Sequence, residues 1–81
     1  MKVTVKLFAA ARDAVEQSEV WLEIEDHATV QDLRTRLAEL YPPLQPILGQ
    51  SLFALDAQYA ADGTPLGENS NIACIPPVSG G

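Results

Sequence analysis

Few side chains in this sequence could do chemistry. There is one thiol, Cys74, and one imidazole, His27. Cys74 sits in the apolar run Ile72-Ala73-Cys74-Ile75, with no adjacent charge to lower its pKa, and free cysteine is among the most buried residue types. The expectation is a structural role in a strand. His27 lies far earlier, in the turn-like Asp26-His27-Ala28, and a Cys-His nucleophilic pair has no support beyond the presence of both residues. Glu23, Glu25 and Asp26 read as a solvated acidic face rather than a metal site. No Gly-rich phosphate loop occurs, so ATP binding by this chain has no motif behind it.

The remaining candidate is the end of the chain, Pro76-Pro77-Val78-Ser79-Gly80-Gly81. Two prolines lack backbone N–H groups and fix φ, which stops sheet pairing and favours a stiff extended exit. Glycine has no Cβ, so Gly80 and Gly81 can enter a groove too narrow for other residues. From Pro77 to Gly81 the tail can reach roughly 16 Å. Its tip is an α-carboxylate, a poor electrophile until it is activated, typically as a mixed anhydride with AMP. This chain has no apparatus for that step, so a second protein would supply it. A frayed, functionless end would show the same small residues, and the body in front of the tail has to decide between the two readings.

That body must hold the tail on a firm base. Val3, Val5 and Leu7 alternate with Lys2, Thr4 and Lys6, and Val20, Leu22 and Ile24 alternate with Trp21, Glu23 and Glu25; both runs predict half-buried strands, close enough in sequence for an antiparallel pair. Phe8 falls on the polar side of the first alternation, where it either covers the sheet or anchors a partner. Ala9 to Val15 reads as a short helical turn. Thr29-Val30-Gln31-Asp32 resembles a capping box, with Asp in place of Glu or Gln. Val30, Leu33, Leu37 and Leu40 then form one helical stripe, Asp32 and Arg36 are spaced as an i,i+4 pair worth only ~0.3 kcal/mol, and Tyr41-Pro42-Pro43 stops the helix. Leu44 to Ser51 reads as a crossover. Leu52-Phe53-Ala54-Leu55 and Gln58-Tyr59-Ala60 predict two short strands around a tight turn at Asp56-Ala57. Turns follow at Asp62-Gly63-Thr64-Pro65 and Glu68-Asn69-Ser70, with Leu66 plugging the core between them.

Strand, strand, helix, short strands, last strand is the order of an α+β roll, a mixed sheet of four to five strands curled around one main helix. If the last strand runs parallel beside the first, the tail leaves from the sheet centre. The division is therefore residues 1–75 as the body and 76–81 as the tail.

With 81 residues and one cysteine, the chain fits one domain with no internal disulfide and no multi-cysteine metal site. Its formal charge of −6 argues against phosphate-based nucleic-acid binding and suits a partner with a basic surface. No apolar run approaches a membrane span and the N-terminal alternation is unlike a signal peptide, which assigns the chain to the cytoplasm.

Taken together, these residues resemble the small subunits of molybdopterin synthase, sulfur carriers with the ubiquitin-like β-grasp fold. The likeness covers essentially the whole chain. It rests on Val5 to Ala9 followed by Arg12-Asp13, on Thr29-Val30 and Leu33, on Leu66, and most specifically on Pro76 to Gly81. Thiazole-forming sulfur carriers also end in Gly-Gly but usually lack the Pro-Pro. Many relatives carry Asn where this chain has Asp56, and Gly-Asp where it has Asn69-Ser70.

The resemblance implies that an adenylating enzyme uses ATP to activate Gly81, that a sulfur donor protein converts it to a thiocarboxylate, and that the tail delivers this sulfur to a cyclic pterin phosphate in the large subunit. By the same resemblance Gly80 gives clearance, and Val78, Ser79, Pro76 and Pro77 lie in the channel. Phe8 and Ile75 belong to the partner interface, and two small and two large chains assemble. The chain itself binds no cofactor or metal and is not catalytic alone. A sulfur carrier for another pathway and a ubiquitin-like modifier of lysines are the alternatives.

Overall fold

The computed structural model describes residues 1–68 and 70–77. Asn69, and Val78, Ser79, Gly80 and Gly81 of the expected tail, lie outside the described residues.

The period-two segments form strands β1, Lys2–Leu7, and β2, Glu19–Glu23, paired antiparallel with Val3 opposite Leu22 and Val5 opposite Val20. Their inward rows are buried and their polar rows are exposed, as alternation requires. Between them runs α1, Ala9–Val15, which ends on Glu16 in the left-handed conformation.

The long helix α2, Val30–Leu40, starts at the expected capping box. The Asp32 amide donates to the Thr29 hydroxyl at 3.3 Å, and the Thr29 amide donates to the Asp32 carboxylate at 2.9 Å. Two otherwise orphaned donors at the helix start are thereby satisfied. Asp32 is held in this way, and Arg36 pairs instead with Glu39 at 3.3 Å, so the expected Asp32–Arg36 pair gives way to an i,i+3 pair.

Val30, Leu33 and Leu37 are fully buried, but Leu40 is exposed. It is the last helical residue, and burial passes to Leu44 and Leu48 in the segment read as a crossover. That segment folds as a single 3-10 turn, Pro42–Leu44, and a short helix α3, Gln45–Leu48.

The chain then builds β3, Leu52–Leu55, β4, Gln58–Ala60, and β5, Ile72–Ile75. The five strands form one mixed sheet in the order β2-β1-β5-β3-β4. β5 runs parallel to β1 and antiparallel to β3, which sets the last strand at the centre of the sheet. The apolar core lies between the inner sheet face and the helices, with Val5, Leu7, Phe53, Ile72 and Cys74 meeting Val30, Leu33 and Leu37. Leu66 is buried there as expected.

Candidate functional site

The parity of β5 decides what surrounds the exit of the tail. Ile72 and Cys74 are buried in the core, which turns Ala73 and Ile75 to the outer face. After Ile75 the chain continues into Pro76, which is buried, and Pro77, which is exposed. Two neighbours fix this strand. Lys6 and Leu7 of β1 stand beside Ala73 and Cys74, while Leu52 and Ala54 of β3 stand opposite Ile75 and Ala73. Beyond the end of β1, the Phe8 amide donates to the Cys74 carbonyl at 3.3 Å, and this carries the pairing one step toward the tail.

Two rows of side chains therefore cross the outer face where the tail leaves. Lys6, Ala73, Ala54 and Tyr59 make one, through the pairs Lys6–Ala73, Ala73–Ala54 and Ala54–Tyr59. Phe8, Ile75 and Leu52 make the other, nearer the prolines. The alanines form the floor of a hollow whose rim includes Phe8, Tyr59 and Ile75. Phe8 is 45% exposed, Leu52 54% and Tyr59 71%. Exposed apolar side chains grouped in this way have the composition of a docking face. Lys6 is the one charge in the hollow among the described residues.

The same face is polar toward β2, where Lys2 stacks on Trp21 at 4.6 Å from the ring centre and Lys6 stands opposite Glu19.

The expected interface residues Phe8 and Ile75 are thus brought together beside Pro76 and Pro77. Tyr59 and Leu52 are part of the same face, and the sequence reading missed them. No local pattern marks them: the all-apolar Leu52-Phe53-Ala54-Leu55 reads equally as a strand buried on both faces, and Tyr59 belongs to β4, so the strand pairing is what places them here.

Cys74 faces away from this surface. It is buried, and the burial pushes its thiol above the ordinary value of 9.0, opposed by a hydrogen bond with Ser51 and by the nearby Arg34. The groups acting on it are these two and not His27, which is exposed in a turn at φ 69°. Among the described residues, no group of three or more His, Cys, Asp or Glu side chains is placed to hold a metal ion. No helix among the described residues is long and apolar enough to cross a membrane.

A mixed sheet wrapped on one principal helix, with its C-terminal strand parallel at the centre, defines a ubiquitin-like β-grasp protein. SAMP1 from Haloferax volcanii has this fold, with a TM-score of 0.87 over 100% of both chains at 25% identity. The family model described as the ThiS family matches residues 5–81, and the chain belongs to that family. It is 31% identical to the molybdopterin synthase sulfur carrier subunit of Chlamydomonas reinhardtii, with 100% of each chain covered. Among solved structures, the complex of subunits 1 and 2 of the molybdopterin-converting factor from Helicobacter pylori contains a chain matched over 100% of both, at 27% identity and a TM-score of 0.70.

Proposed function

We propose that this chain is a sulfur carrier for molybdopterin synthesis and that the Gly81 carboxylate is its working group. In the first step a carboxylate oxygen attacks the α-phosphorus of ATP in a separate activating enzyme, and pyrophosphate leaves. A persulfide of a donor protein then attacks the acyl carbon and AMP leaves; a thiol cleaves the S–S bond of the resulting acyl disulfide, taking the donor's sulfur into a new disulfide, and a terminal thiocarboxylate results. The tail next enters the large subunit of the synthase, where its sulfur attacks a cyclic pterin phosphate and water then cleaves the S–acyl bond, leaving the sulfur on the pterin and a carboxylate on Gly81. Two such transfers supply the two sulfurs of a dithiolene.

Gly80 and Gly81 provide clearance in the two foreign sites, and Val78 and Ser79 line the path. Phe8, Ile75, Leu52 and Tyr59 dock on the large subunit, in an assembly of two small and two large chains.

The observation that carries this reading is the placement of Ile75, Pro76 and Pro77. They continue the central strand, beside an exposed apolar face, with the buried Cys74 thiol turned to the opposite side of the sheet. A body built in this way can be held by its face while its end is processed elsewhere. The names of the relatives from Chlamydomonas reinhardtii and Helicobacter pylori support the same pathway.

The likeness to SAMP1, a small archaeal modifier protein, favours a second reading, in which Gly81 is joined to lysine amines of other proteins.

Intact-mass analysis after incubation with the activating enzyme, ATP and a sulfur donor separates the two. Exchange of one oxygen for one sulfur on the terminal peptide is expected, and it requires Gly81 at the end: one appended residue should abolish it while the fold persists. A lysine-linked conjugate with no sulfur exchange would favour the modifier. An unchanged mass would overturn both.

A further inference from the structure

The free edge of β2 lies on the far side of β1 from β5, apart from the apolar face. Its register decides which groups are open. The Met1 ammonium donates to the Ile24 carbonyl at 2.6 Å, the Ile24 amide donates to the Met1 carbonyl at 2.8 Å, and the Leu7 amide donates to the Ser18 carbonyl at 2.9 Å. Bonded pairs alternate in an antiparallel ladder, so Val3–Leu22 and Val5–Val20 are bonded as well, and Glu19, Trp21 and Glu23 turn their N–H and C=O groups away from β1. β2 is the end strand of the sheet.

Part of that edge is already covered. The Tyr41 hydroxyl donates to the Trp21 carbonyl at 3.2 Å. Glu23 is left with its backbone groups turned toward a hollow between the end of β2 and α2.

The chemistry of the hollow selects what could pair there. Ile24 and Ala28 contribute an apolar floor, and Thr35, Arg36, Asp32 and Glu39 of α2 make the wall. Glu23 and Glu25 complete the rim. Among the described residues, the lining holds four carboxylates and one cation, Arg36, which is already paired with Glu39 at 3.3 Å; the Met1 ammonium bonded to the Ile24 carbonyl is itself paired with Asp26 at 3.3 Å. A strand added beside Glu23 would place one side chain on the outer face next to the Glu23 carboxylate and its neighbours over Ile24 and Ala28. Lysine and arginine suit both places, because their stems cover apolar surface while their heads reach carboxylates.

We propose that the edge of β2 accepts an extended lysine- or arginine-rich segment of another protein as a short added strand. Backbone bonds to Glu23 would give affinity, and the acidic rim would give selectivity for positive charge. The hollow shares no residue with the one at the base of the tail. A protein held here leaves the tail and the apolar face free for a second partner. The inference stands whether or not the terminal carboxylate carries sulfur.

Amide NMR of the full chain, titrated with a capped five-residue lysine-rich peptide, tests it. Shifts are expected at Glu23, Ile24 and Glu25 and along Thr35 to Glu39, and raising the salt from about 50 to about 300 mM should weaken binding at least threefold. N-methylation of the central peptide amides keeps the charge and removes the strand bonds, and it should weaken binding about tenfold. The double variant Glu25→Lys, Glu39→Lys should bind the peptide as weakly as the native chain binds a glutamate-rich one. Equal binding of the N-methylated peptide, shifts spread over the whole acidic surface, or shifts centred on Phe8 and Tyr59 would each overturn the proposal.

Discussion

Arg34 shows how much one side chain can organise in a small domain. Its guanidinium donates to the Leu48 carbonyl, to the Ser51 carbonyl at 2.8 Å and to Asp62 at 2.8 Å, and it stacks 4.9 Å from the Phe53 ring centre. These bonds tie α2 to the end of α3, to the start of β3 and to the loop after β4. Arg34→Ala should lower stability by about 3 kcal/mol in urea unfolding, since buried carbonyl acceptors lose their donors. Arg34→Lys should recover only part of that, because an ammonium cannot fork across several acceptors.

Below Arg34, Cys74 makes a prediction in pH. Its thiol pKa is raised in the fold, so the native state holds the proton more tightly than the unfolded chain does. The contribution is intact below pH 9 and is lost as pH rises above it, at a slope of up to about 1.4 kcal/mol per pH unit until the native thiol also ionises. Cys74→Ala should flatten the fall of stability between pH 9 and 10 relative to the native chain. Equal slopes would mean that burial does not govern this thiol.

At the scale of elements, the strands and the main helix were legible because one physical rule dominates each. Val3, Val5 and Leu7, and Val20 and Leu22, are buried at the period a one-sided sheet requires. Thr29 and Asp32 announced the start of α2 by side-chain chemistry alone. What was not legible depended on tertiary packing. Leu40 kept the helical spacing but stays exposed, and Leu44 and Leu48 gained burial within a Pro-rich stretch with no helical period. Arg36 had two carboxylates within reach, and the capping box removed one of them. In the site, Phe8 and Ile75 were expected, whereas Tyr59 and Leu52 emerged from strand pairing that no local pattern specifies.

The β3–β4 turn sits between these cases. Asp56 and Ala57 were expected to form it, and both have positive φ, 51° and 69°, as a type I′ hairpin turn demands. Asp56 is repaid locally: its amide donates to the Asn71 carbonyl at 2.8 Å, and its carboxylate accepts from the Asn71 amide at 3.0 Å. That bond explains how Asp serves where relatives of this kind often carry Asn. Ala57 has no such compensation and bears the left-handed penalty of about 1 kcal/mol. Ala57→Gly should therefore raise the urea midpoint, with a gain somewhat below that penalty because glycine adds entropy to the unfolded chain. A loss of stability would show that the Ala57 methyl makes a packing contribution larger than its strain.

On the scale of the whole molecule, the sheet separates holding from handling. Its inner face is consumed by the core, its central strand leads to the tail, and the outer face beside that strand carries exposed apolar side chains that lie outside the core cluster. The separation can be tested directly. Phe8 and Tyr59 are exposed, so Phe8→Asp and Tyr59→Asp should leave the thermal midpoint nearly unchanged. In calorimetry against the large subunit of the synthase, each should cost about 2 kcal/mol or more, because a carboxylate would be desolvated against an apolar surface. Trp21 is the control: it is 55% exposed on the same sheet face, but it lies on the edge strand under Lys2 and away from the tail. Trp21→Asp should bind the large subunit like the native chain. If all three variants weakened binding alike, the docking face would have to extend to β2. If none did, the tail alone would carry the affinity, and the apolar rows beside Ile75 would need another explanation.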